Sequence, residues 1–280
     1  SLLLFIIIII IIPNMSDLTN VKLLSFDCYG TLIDWETGLA ADLSPLASRL
    51  PPTHPFRSSP LTAVIRFNDH SEYLWATQPT LSYNRNLSES FRMLAQELGI
   101  TIEGDAELEK AAEEIGSGPG RWHAFEDTVA ALGKLKKYYK LVVLSNVDEA
   151  NISRAQSGPL AGFGGFDAVY TAEAIGSYKP SLNNFRYLVE KVKEEFGVDA
   201  LEGELLHVAR SLTADQIPAK EMGLRSVWIA RGGDKPEGYG TGGDYEKLNA
   251  EGKLGFERIF QTLGEFAEEV ERQFAEKGGQ

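Results

Sequence analysis

The sequence predicts an α/β protein, a parallel sheet with helices on both faces and an inserted all-helical cap domain. From residue 121 onward, short apolar runs alternate with amphipathic helical runs, the pattern of successive βαβ units. Between the first strand and the second, about ninety residues show helical periodicity only. The first strand ends abruptly in a carboxylate, Asp27, at the sheet edge where open parallel sheets bind ligands. The chain has 280 residues and 43% hydrophobic content, enough for one large core or a core with a smaller domain.

The elements follow in order. Residues 21–26 read as a buried strand, and Gly30 and Thr31 turn the chain before Leu32 and Ile33 resume packing. Helical patterns cover 35–50, 61–77, 86–99 and 105–115, with a Pro-rich break at 51–60 and a flexible Gly-rich connector at 116–120. A helix over 127–139 then leads to strands at 140–145, 167–171, 204–209 and 225–230, with helices over 182–196 and 215–222 between them. Residues 232–243 read as a surface loop and 255–274 as the final helix. Five strands alternating with helices make a Rossmann-like core over residues 15–34 and 121–280, split by a cap over 35–120.

The N-terminus stands apart. Residues 2–12 are almost pure Leu and Ile, yet as a helix they would reach only about 17 Å against a hydrocarbon core of about 30 Å. They neither span a bilayer nor show the basic region and small-residue site of a signal peptide. Residues 1–14 are expected to be an extraneous extension outside the fold.

Composition narrows the partners. A net charge of −13 argues against nucleic acid and anionic membranes, both of which call for a basic face, and leaves a small anionic substrate. The single cysteine, Cys28, excludes an internal disulfide and reads as a buried filler. A cytoplasmic location is the expectation, and a homodimer is compatible with the sequence.

Four polar clusters follow strand ends. Strand one delivers Asp27, strand two Ser145 and Asn146, the loop after strand three Lys179 before Pro180, and strand four Ser211 and Asp215. Singly, each has an ordinary structural explanation: an Asx turn, a solvated lysine, a helix cap. Parallel strands set their carboxyl ends side by side, so together they point to one site. An ammonium about 4 Å from Asp27 would contribute on the order of 4 kcal/mol at an effective dielectric of 20. His54, His70, His123 and His207 lack ligand spacing and read as capping, solvent or core residues.

The stretch Asp27-Cys28-Tyr29-Gly30-Thr31-Leu32-Ile33-Asp34 resembles the first motif of the haloacid dehalogenase superfamily. Ser145-Asn146, Lys179-Pro180 and Ala209–Asp215 are similar to its second, third and fourth motifs. The resemblance implies a helical cap over the site and Asp27 as a nucleophile that forms a covalent ester. It further implies Ser145, Asn146, Lys179 and Asp215 as catalytic partners, with Tyr29, Thr31, Arg66, Trp75 and Ser211 binding substrate. Tyr29 is similar to the 2-haloacid dehalogenase branch, whereas the magnesium-dependent phosphatases carry Asp there. Arg210 occupies the position of a phosphatase metal ligand, so no metal or other cofactor is expected.

Two departures accompany the resemblance. The cap arginine of the dehalogenases would fall at Phe67, next to Arg66, with Arg85 and Arg92 as fallbacks; and Ser211 replaces their asparagine. The expected activity is hydrolytic dehalogenation of small 2-haloalkanoic acids. The alternatives are a phosphatase using magnesium and a non-catalytic member that binds a small anion or a partner protein.

Overall fold

The computed structural model describes residues 16–78, 80–238 and 240–278. The proposed extension over 1–14 lies outside the described residues. Six parallel strands form one sheet in the order β3-β2-β1-β4-β5-β6. They are β1 (Leu23–Phe26), β2 (Lys140–Ser145), β3 (Ala168–Thr171), β4 (Leu205–Ala209), β5 (Arg225–Ile229) and β6 (Arg258–Phe260). The strand order reverses between β1 and β4, and the crevice at such a point is where ligands bind in open α/β sheets.

Helices α1 (Trp35–Asp42), α2 (Ser44–Ala47), α3 (Pro55–Ser58), α4 (Pro60–Thr77), α5 (Tyr83–Glu97) and α6 (Ala106–Glu114) fill the segment between β1 and β2. Beyond them lie α7 (Thr128–Leu135), α8 (Glu149–Ser157), α9 (Ala172–Ile175), α10 (Leu182–Phe196), α11 (Ile217–Glu221), α12 (Tyr245–Ala250) and α13 (Leu263–Gly278). None of the described helices is long and apolar enough to cross a membrane.

Side-chain alternation along the strands divides the core between the two sheet faces. Leu24, Phe26, Leu141, Val143, Leu206 and Val208 pack with residues of α7, α8 and α13. Leu23, Val142, Leu144 and Leu205 face the other way, onto Phe185, Leu188 and Val192 of α10. Burial on both faces is why these strands read as continuous apolar runs.

Several expectations need correction. The sheet has a sixth strand, and the final helix starts at Leu263 because Ile259 and Phe260 pair with β5. The boundary is marked by Thr262-x-x-Glu265: the Thr262 hydroxyl accepts from the Glu265 N–H at 3.1 Å, as an N-cap does. Helix α8 is a further addition to the expected elements, and Asp148 caps it by accepting from the Asn151 N–H at 2.7 Å. The segment read as a flexible connector is a 3₁₀ helix, Ile115–Gly120, with most of its residues buried. Its glycines serve close approach: a Cβ on Gly118 would sit 2.6 Å from Asp42 Oδ2. Residues 232–243 are not wholly a surface loop, since Thr241 and Gly242 line the central cavity.

A further link joins the end of the sheet to its beginning. Arg231, at φ +45°, donates from Nε and Nη2 to the Thr31 carbonyl at 3.0 and 2.9 Å and from Nη1 to Asp127 at 3.1 Å. Its guanidinium lies 3.7 Å from the centre of the Phe125 ring. Burial alone would raise the Asp127 carboxyl, but Arg231 outweighs it and holds the group below its ordinary value.

Gly38 allows α1 to press against Trp122, where an added Cβ would come within 2.3 Å of the indole. Gly38→Ala is therefore expected to destabilise the fold by about 1–3 kcal/mol. An exposed helical Gly→Ala would instead stabilise by up to about 1 kcal/mol, so the sign measured by urea denaturation checks the contact.

Candidate active site

Asp27 follows β1 at the sheet's reversal point, and its backbone N–H donates to the Val208 carbonyl of β4 at 3.1 Å. The carboxylate is 6% exposed and has a donor on each oxygen. Lys179 Nζ donates to Oδ1 at 2.9 Å and the Thr31 hydroxyl to Oδ2 at 2.7 Å. Thr31 Oγ1 in turn accepts from the Arg210 N–H at 2.9 Å, which ties the turn after β1 to the end of β4.

Lys179 is 5% exposed and spends all three ammonium hydrogens inside the protein. They go to Asp27 Oδ1 at 2.9 Å, Asp215 Oδ1 at 2.7 Å and the Leu144 carbonyl at 3.0 Å. Asn146 fixes the lysine's backbone reciprocally, accepting from the Lys179 N–H at 2.7 Å and donating to its carbonyl at 2.9 Å. Asp215 Oδ1 also bonds His207 Nε2 at 2.9 Å, and His207 Nδ1 bonds Ser25 Oγ at 2.8 Å. Ser25 and His207 are direct partners in the β1–β4 ladder, so register alone brings them together.

His207 is the member that sequence reasoning missed. A signal existed: a histidine in the apolar run Leu205–Ala209, eight residues before Asp215, cannot be buried without partners.

These contacts shift the three ionisable groups in different directions. Burial raises the Asp27 carboxyl above its ordinary value, with Lys179 opposing. Burial would raise Asp215 too, but Lys179 and His207 outweigh it and hold that carboxyl low. Lys179 would be lowered by burial, yet the two carboxylates keep it high. Asp215 and Lys179 thus stay charged, and Asp27 is the carboxylate that takes up a proton first on acidification.

Asp27 and Lys179 open onto a cavity of about 610 Å³, also lined by Tyr29, Trp75, Ser145, Asn146, Ser211 and Asp215. Tyr29 is anchored by its hydroxyl to the Pro119 carbonyl at 2.9 Å and meets Trp122 edge-on. Ser211 caps the turn after β4, its hydroxyl accepting from the Ala214 N–H at 3.0 Å. Ser145 Oγ and Asp215 Oδ2 are buried and without a hydrogen-bond partner among the described residues. Cys28 is buried, and burial pushes its thiol well up.

Two expected substrate contacts are corrected. Arg66 does not line the cavity: it faces outward and pairs with Glu97 at 2.8 Å and Asp69 at 3.0 Å. Helical rotation decides this, because the neighbouring position, Phe67, is the one turned inward. Arg85 and Arg92 are exposed and do not line the cavity either. Thr31 is fully buried and committed to Asp27 and Arg210, so it positions the carboxylate and does not touch the cavity.

The donor set does not suit magnesium, which takes oxygen ligands in near-octahedral geometry. The two carboxylates that could share an ion are bridged by the Lys179 ammonium, and the side chain that follows Ala209 is the Arg210 cation. Among the described residues no group of three or more His, Cys, Asp or Glu side chains could hold a metal ion.

The sequence matches the family model described as haloacid dehalogenase-like hydrolase over residues 21–204. The chain belongs to this family. Among solved structures, the L-2-haloacid dehalogenase of Xanthobacter autotrophicus is similar at 20% identity and TM-score 0.65, over 90% of this chain and 98% of that one. A second L-2-haloacid dehalogenase is similar at 21% identity and TM-score 0.65, over 90% and 99% of the two chains. A magnesium-bound hydrolase of the same superfamily from Bacillus subtilis is similar at 21% identity and TM-score 0.56, over 75% and 89%. At such identities the likeness establishes the shared fold. No curated protein matches the sequence.

Removing the central cation should expose its structural weight. Lys179→Met leaves two buried carboxylates uncompensated and should cost about 3–5 kcal/mol in denaturant unfolding. Adding Asp215→Asn should restore part of that loss, a coupling that a double-mutant cycle will read.

Proposed function

We propose that this family member is a hydrolytic dehalogenase of 2-halocarboxylic acids that works through an ester on Asp27. The observation that carries the reading is the pairing of Asp27 with Lys179 and Thr31, with no second carboxylate where phosphatase chemistry would use one. Position 29 holds a tyrosine bonded to Pro119, and position 210 an arginine. A halide needs no proton to leave, so neither missing carboxylate is required.

In the first step an Asp27 oxygen attacks the carbon bearing the halogen; the C–O bond forms as the carbon–halogen bond breaks, and halide leaves with the electron pair. In the second, water adds to the ester carbonyl and the C–O bond to the protein's carbonyl carbon breaks, giving the 2-hydroxy acid and free Asp27. Whichever oxygen attacks, the other retains a donor, Lys179 on Oδ1 or Thr31 on Oδ2, placed to hold the charge of the tetrahedral intermediate. Asp215 Oδ2, which has no partner among the described residues, is the acceptor that can orient the water.

Halide release from 2-chloropropionate and bulkier 2-haloacids tests the reading. Asp27→Asn should lower turnover about a thousandfold or more. One turnover in heavy-oxygen water should give product whose new hydroxyl carries ordinary oxygen from Asp27. Labelled product, or unchanged turnover in the variant, would sink the mechanism.

Acidity offers a second check. Asp27 must be ionised to attack, and its carboxyl lies above the ordinary 3.8. The kcat/KM for halide release should therefore fall on the acid side with a midpoint above 3.8, where an exposed aspartate would still be ionised.

A further inference from the structure

The cavity holds a second cation whose hydrogen-bonding capacity is largely unspent among the described residues. Lys179 has no hydrogen left for a substrate, whereas Arg210 has five guanidinium N–H donors. Among the described residues its guanidinium makes one hydrogen bond, from Nη1 to Glu36 Oε1 at 3.3 Å. Its backbone is fixed at both ends, the N–H on Thr31 and the carbonyl on the Trp228 indole at 2.7 Å. Arg210 is thus a guanidinium on a fixed backbone that bonds directly to Thr31, the nucleophile's own partner. Glu36, which also accepts from Thr241 at 3.1 Å, balances its charge.

Aromatic rings make up part of the remaining wall, beside Asn68, Ser71 and Glu72 of α4. Trp75 lies 4.4 Å from Tyr178 and 6.2 Å from Tyr83, centroid to centroid, and Tyr29, Phe67 and Trp122 continue the lining. Burial raises the Tyr29 and Tyr83 hydroxyls, so these rings stay neutral. A volume of about 610 Å³ equals roughly twenty waters. A three-carbon haloacid of about six heavy atoms would leave most of it wet, while cavities of about 300–1,000 Å³ suit far larger ligands.

We propose that the cavity takes an aryl-substituted carboxylate, its carboxylate on Arg210 and its ring against the Trp75–Tyr178 wall. Resting on the dehalogenase reading, this makes the substrate an arylalkyl 2-halocarboxylic acid and Arg210 the anchor that the outward-facing Arg66 does not supply. The carboxylate takes guanidinium donors that Glu36 leaves free, and no covalent change accompanies binding.

Non-reacting probes separate the ligand class from the chemistry. Calorimetric titration of the whole chain should give a Kd for 3-phenylpropionate at least tenfold below that for propionate. The neutral 3-phenylpropanamide should bind at least tenfold more weakly than its acid. In Arg210→Gln, acid and amide should bind alike; in Trp75→Ala, the preference for phenyl should collapse while the acid–amide difference persists. Circular dichroism and the untouched contact in each variant control for folding. Equal affinity for the two acids, no binding of either, or an unaltered acid preference in Arg210→Gln would overturn the proposal. Halide assays then divide the two readings. Aryl acids that bind as expected while 2-bromo-3-phenylpropionate releases no bromide would leave the ligand class standing and remove the dehalogenase. Release from 2-chloropropionate at or above the rate from the aryl substrate would remove the ligand class and leave the reaction.

Discussion

The buried ammonium of Lys179 is the constraint on which the site depends. Two carboxylates cannot sit at the carboxyl ends of adjacent strands in a dry interior without a cation between them. Lys179 meets that requirement with three hydrogen bonds of 2.7–3.0 Å, to Asp27, Asp215 and the Leu144 carbonyl. Its reach from the loop after β3 in turn requires the backbone clamp of Asn146, and Asp215 requires His207 and hence Ser25. One charge requirement therefore runs through β1, β2 and β4 and reaches the strand register itself.

The same requirement divides labour between the two cations. Because Lys179 is saturated, it can hold the nucleophile and stabilise charge that develops on it, but it cannot reach out to a ligand. On the proposed reading, recognition falls to the cavity's aromatic rings and the Arg210 guanidinium. Nucleophile and recognition surface are thus built from different parts of the sequence, joined at the Thr31 hydroxyl.

Much of this was legible in the sequence. Asp27, Ser145, Asn146, Lys179 and Asp215 could be assigned to one edge because parallel topology makes strand ends neighbours, whatever their separation along the chain. What could not be read depended on rotation and register. Arg66 and Phe67 differ by one position on a helix, and only packing tells which turns inward. His207 acquires meaning only when β4 pairs with β1 and sets it beside Ser25. The short β6 was hidden because Phe256, Ile259 and Phe260 also fit a helical apolar face, and tertiary pairing overrode that periodicity. The glycines of 116–120 suggested looseness, yet they are what allows a tightly packed turn.

Arg231 bears on how such a fold can be divided. The family-matched segment ends at residue 204, yet the Thr31 carbonyl, beside the nucleophile, is braced by a guanidinium from position 231 that is itself tied to Asp127. Asp127 also accepts from the Gly264 N–H at 3.0 Å, at the start of the last helix. The smallest transplantable working unit is therefore not the family-matched segment, which also stops short of β4, Arg210 and Asp215. A chimera that exchanged only that segment would carry the nucleophile but leave its rear support to chance.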